Sequence, residues 1–151
     1  MELNGRHTIS TTPANLWNML MDTETLSKII PGLSTLEKTG DFSYKSILEL
    51  KAGPISTSFI GDAQMEDIIT QKKFTLKMQQ SNKMGNANST MNVELIPVNE
   101  TETEVVFGGE IKITGLLASM GQPILSSFAN MLTRQFFANL DRELASQQKA
   151  S

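Results

Sequence analysis

Residues 119–140, SMGQPILSSFANMLTRQFFANL, carry more apolar surface than a lone helix can leave in water. At about 100° per residue, Leu117, Met120, Ile124, Leu125, Phe128, Met131, Leu132 and Phe136 fall on one broad stripe. Ser119, Gln122, Ser126, Asn130 and Thr133 fall opposite. Full burial of each large apolar side chain contributes about 1.5–3 kcal/mol, so the stripe demands a partner surface. Pro123 lacks an amide hydrogen and therefore kinks this helix or marks its true start.

The partner surface is written upstream as alternation. Leu3, Gly5, His7 and Ile9 share one side of a first strand. Thr12 then reads as an N-cap with Pro13 at the first helical position, where its missing N–H matters least. Asp22 caps a second short helix bearing Leu26, Ile29 and Ile30, which Pro31-Gly32 stops. Strand patterns follow: Phe42, Tyr44, Leu48 and Leu50, with Ile47 out of phase; Ile55, Phe59, Ala63 and Met65; Phe74, Leu76 and Met78; Met91, Val93 and Leu95; Val105, Phe107, Gly109, Ile111 and Ile113. The expected fold is α+β. A curved antiparallel sheet of six or seven strands is wrapped around a long C-terminal helix, with two short helices after the first strand.

Length and charge set the limits of function. The 151 residues suit a single domain, expected over 1–145, with 146–151 as a short polar tail. A net charge of -3 argues against nucleic acid as partner. With no cysteine there is no disulfide, thiol nucleophile or thiolate metal site. The N-terminus lacks the apolar core of a signal peptide, and no run is long enough to span a bilayer. A cytoplasmic protein is expected. Nine methionines against one tyrosine bias the interior toward adaptable side chains, which fill gaps or accept varied apolar partners.

Small residues at inward parity, namely Gly61, Ala63, Ala87, Ser89 and Gly109, either let the helix approach closely or leave a cavity. Gln135 lies on the apolar stripe, so its amide is expected to be buried. It would then bond to a backbone group or anchor a ligand head group. His7 admits the same two readings. One histidine without cysteine excludes the usual zinc sets and the Cys-His pairing, and Asp62, Glu66 and Asp67 fall on the wet face or at a turn. No catalytic or metal-binding set is visible, and no cofactor is expected. Phe137 falls off the stripe and is either exposed for docking or packed on the first helices.

Three stretches resemble the carbon monoxide dehydrogenase G-subunit family: LWNMLMDTETLSKIIPGLSTLEKTGD at 16–41, LKAGPISTSFIGDAQMED at 50–67, and RQFFANL at 134–140. The I-P-G, L-E-K and G-P elements together carry the likeness, which covers nearly the whole chain. The resemblance implies the helix-grip fold of the START and birch-pollen-allergen superfamily, with an apolar cavity. It also implies a partner, a molybdenum hydroxylase of the carbon monoxide dehydrogenase type, together with peripheral contact on the inner face of the membrane. The implied ligand is an isoprenoid quinone or a lipid.

The expected function is thus a non-enzymatic binding module. Its alternatives are a helix-grip cyclase or hydratase and a docking subunit without ligand. The expected cavity wall comprises His7, Ile30, Phe59, Ala63, Met65, Met78, Ser89, Met91, Phe107, Met120, Ile124, Phe128, Met131 and Gln135. The expected entrance comprises Pro31, Gly32, Gly53 and Pro54, with ligand passing Ile30, Pro31 and Met120 and meeting Met131 and Gln135 deeper inside.

Overall fold

A computed structural model describes residues 1–52 and 55–150. The elements in order are β1 (Glu2–Ile9), α1 (Pro13–Met21), α2 (Thr23–Ile29), β2 (Leu33–Gly40), β3 (Ser43–Ala52), β4 (Ile55–Ile69), β5 (Lys73–Asn82), β6 (Gly85–Asn99) and β7 (Glu102–Gly115). A 3₁₀ turn at Leu116–Met120 and a final helix α3 (Gln122–Ala150) close the chain.

The helix starts form as their capping chemistry requires. Thr12 Oγ1 accepts from Asn15 N at 3.2 Å, with Pro13 beginning α1. Asp22 Oδ2 accepts from Thr25 N at 3.2 Å and from Thr25 Oγ1 at 2.7 Å at the head of α2. After α2 the chain reverses at Gly32, whose φ of +77° is a left-handed conformation that glycine adopts without strain.

The sheet has seven strands in the order β1-β7-β6-β5-β4-β3-β2, and every neighbouring pair is antiparallel. Strands β2 to β7 meander, and β1 returns to pair with β7. The out-of-phase Ile47 opposes the exposed Ile60 across β3 and β4, so the two support each other on the convex face.

One buried cluster fills the angle between α1, α2, the sheet and the C-terminal half of α3. Ile9, Leu16, Ile29 and Leu140 are fully buried, and Trp17 meets Phe74 edge-on at 5.8 Å. Asn139 Nδ2 donates to Ile29 O at 3.2 Å, and Lys28 Nζ lies 3.7 Å from Glu143 Oε1, tying α3 to α2.

The last helix takes one of the two readings of Pro123 and differs from expectation in rotation. Gly121 at φ +89° interrupts the chain after the 3₁₀ turn, so α3 begins at Gln122 with Pro123 in its first turn, a start and not a kink. The helix runs on through Ala150, including most of the stretch expected as a tail. Its buried residues are Ala129, Phe137, Leu140 and Leu144, whereas Ile124, Met131 and Gln135 are exposed. Ser126 and Thr133, expected on the wet side, point toward β1: Ser126 Oγ is 3.8 Å from Met1 Sδ, and Thr133 lies against Gly5.

Candidate functional site: the concave face beneath the last helix

Direct cross-strand partners lie on the same face of a sheet, so the pairing register draws the concave surface row by row. One row is Leu3, Gly109, Met91, Leu76 and Met65. The next is Ile111, Ser89, Met78, Ala63 and Tyr44. A third is Ile113, Ala87, Gln80, Gly61, Ser46 and Leu36. The buried members Met65, Ala63, Tyr44, Gln80 and Ser46 identify this as the covered face.

Burial along these rows is graded. Toward β3 and β4 they are closed, but Leu76, Met78, Ser89, Met91 and Ile111 are only half-buried. Above them, Leu125, Phe128 and Leu132 of α3, and Met120 of the preceding turn, are half-buried as well. The backbone of α3 comes closest to α2 and β1. Apolar side chains of the sheet and of α3 are thus each left partly uncovered.

The expected wall residues divide. The register brings Phe59, Ala63, Met65, Met78, Ser89, Met91 and Phe107 onto the concave face. Ile30, Met120 and Phe128 are half-buried. Ile124, Met131 and Gln135 are turned away, which corrects the placement of Gln135 as a buried amide. The reason is that the inward position went to Phe137. Its ring packs 4.9 Å from His7, 5.5 Å from Phe107 and 5.5 Å from Phe136, which rules out the exposed docking role. His7 lies on the outer edge, its Nε2 2.8 Å from Asp141 Oδ2, in a shallow groove shared with Arg134 and Thr133.

At the expected entrance, Pro31 is half-buried and Gly32 exposed beside Glu49, while Gly53 and Pro54 lie outside the described residues. The room at Gly61 and Gly109 is not empty: a Cβ on Gly61 would meet Gln79 O, and one on Gly109 would meet Thr90 O. These two glycines permit close strand approach and open no cavity.

Gln80, and not Gln135, is the buried amide of this face. Only 3% exposed, it donates from Nε2 to Ser46 Oγ at 2.7 Å, and its Oε1 has no hydrogen-bond partner. The signal for it in the sequence is parity, since Gln80 continues the inward series Phe74, Leu76 and Met78. Burial also raises the Tyr44 hydroxyl above its ordinary range, keeping it neutral. Among the described residues no three His, Asp or Glu side chains gather as a metal site, and no helix is long and apolar enough to cross a membrane.

Solved structures share this architecture. A conserved protein from Geobacillus kaustophilus superposes with a TM-score of 0.91 at 26% identity, covering 97% of this chain and 96% of its own. A START superfamily protein from Mycobacterium smegmatis gives 0.71 at 8% identity, over 97% and 98% of the two chains. The Zhui aromatase/cyclase from Streptomyces sp. R1128 gives 0.72 at 8%, over 95% and 92%; at such identity these two establish the fold alone. No curated protein matches the chain. Residues 5–145 match the G-subunit family of carbon monoxide dehydrogenase (CoxG). With the helix-grip fold in place and the match running nearly end to end, the chain belongs to the carbon monoxide dehydrogenase G-subunit (CoxG) family.

Proposed function

We propose that the protein is a non-enzymatic carrier for an apolar ligand of the isoprenoid-quinone or lipid class, working beside a molybdenum hydroxylase of the carbon monoxide dehydrogenase type. The observation that carries this reading is the incomplete burial of Met78 and Met91 on the concave face and of Leu125, Phe128 and Leu132 on α3. A ligand lying there completes their burial, at about 25 cal/mol per Å² of apolar surface removed from water. Methionines adapt their shape to such a guest. The family description supports the choice of partner.

Chemistry on the face favours binding over turnover. In the three rows Tyr44 is the one titratable side chain, and burial keeps it neutral; His7, on the same face at the β1 edge, is paired with Asp141 Oδ2 at 2.8 Å. General acid–base catalysis needs a group whose proton moves near the working pH. Ligand access past Ile30, Pro31 and Met120 fits their partial exposure. Exposed Leu116, Ile124 and Met131 support peripheral contact of the same region with a membrane.

Native mass spectrometry after gentle purification from a membrane extract, followed by titration with a short-chain quinone, tests the reading. A bound apolar mass and saturable quinone binding are expected. Bare protein together with no binding in titration overturns it.

A further inference from the structure

We infer that Gln80 is the head-group anchor of the concave face: its Oε1 accepts a hydrogen bond from a hydroxyl at the polar end of the apolar ligand. This rests on the proposed function, in which the face takes an apolar ligand. It adds which residue meets the head group and which chemistry that residue selects.

One atom of the face is unmatched. Gln80 Oε1 is sealed from solvent and has no partner, although native interiors match nearly all buried polar groups and an unmatched one is destabilising. The amide is held in place: Nε2 is committed to Ser46 Oγ at 2.7 Å, and a Cβ on Gly61 would lie 2.8 Å from Gln80 Cδ. Gln80 therefore lies flat over Gly61 between β3 and β5, flanked on β6 by the small Ala87. Only a donor can satisfy what remains. The atom has no surface open to bulk solvent, so a ligand donor reaches it by displacing covering side chains, and Met78, two residues away on the same face, is flexible enough to move aside.

A polar tip buried among apolar walls selects sharply, because an analogue without the donor leaves the acceptor unmatched. The chemistry selected is a hydroxyl, as in a hydroquinone, a phenol or an alcohol-terminated lipid, over the corresponding carbonyl or ether.

The test uses 4-heptylphenol and its methyl ether 4-heptylanisole, which differ by the donor alone, in calorimetric titration of the full chain. Wild type is expected to bind the phenol roughly five- to tenfold more tightly than the ether. Gln80→Met is expected to abolish that preference. Equal wild-type affinity for the two probes, or an unchanged preference in the variant, overturns the anchor and leaves the carrier reading intact. Failure of wild type to bind either probe overturns both. If Gln80→Met does not fold, the side-chain amide resonance of Gln80 in wild type decides. It is expected to shift with the phenol and not with the ether, and the absence of that difference overturns the anchor.

Discussion

Gly5 on β1 and Phe107 on β7 are cross-strand partners, and the Phe107 ring stands where a side chain on Gly5 would begin. A Cβ there would lie 2.5 Å from Cε1 and Cζ of the ring and 3.4 Å from Thr133 Cγ2. The ring is itself held by Phe137 at 5.5 Å. The helix is thus seated tightly on the β1 edge, which leaves the open part of the concave face toward the middle strands. Gly5→Val should overpack this seat and lose about 1–3 kcal/mol of stability. Urea denaturation measures it; an unchanged midpoint would mean that the helix is not seated there.

The rotation of α3 makes opposite predictions for two large apolar residues. Phe137→Ala removes a buried ring from the cluster with His7 and Phe107 and should cost about 3–5 kcal/mol. Met131→Ser changes an exposed side chain and should stay within about 0.5 kcal/mol of wild type. Thermal unfolding of the pair reports the phase of the helix. The reverse ranking would restore the orientation expected from the apolar stripe.

Met120, the last residue of the 3₁₀ turn before Gly121, is half-buried. Met120→Trp should slow uptake of a fluorescent apolar probe while leaving the stability within about 1 kcal/mol of wild type. Stopped-flow binding gives the rate. Unaltered uptake together with a collapsed fold would make Met120 a core residue and not a gate.

Gly32 combines a φ of +77° with a backbone contact: a Cβ would lie 2.7 Å from Glu49 O. Its own carbonyl accepts from Glu49 N at 2.7 Å, joining the end of α2 to β3. Gly32→Ala should therefore lose about 1–3 kcal/mol through strain and displacement of that join. Equilibrium unfolding checks it, and a neutral result would show that the turn relaxes without loss.

Local chemistry made much of this protein legible before folding. Side chains alternate every second residue in a strand, so Phe59, Ala63 and Met65 could be assigned to one face without knowledge of their neighbours, and the register agrees. Thr12 and Asp22 cap helices through bonds spanning three residues, which depend on nothing distant. The motifs at 16–41 and 50–67 carried the family in the same way.

The helix phase and the polar anchor were beyond such reading. Apolar residues from Ile124 through Phe137 extend around more than half of α3, so periodicity allowed several inward faces of similar merit. The choice was made by long-range fit: Phe137 into the space beside Phe107 and His7, and Asn139 onto Ile29 O. Gln80 and Ser46 meet across 34 residues, because β4 lies between their strands with a glycine at the crossing point. Alternation could tell which way Gln80 points. Whether its oxygen finds a partner depends on every neighbour that packing brings to it, and that is a property of the assembled sheet and helix.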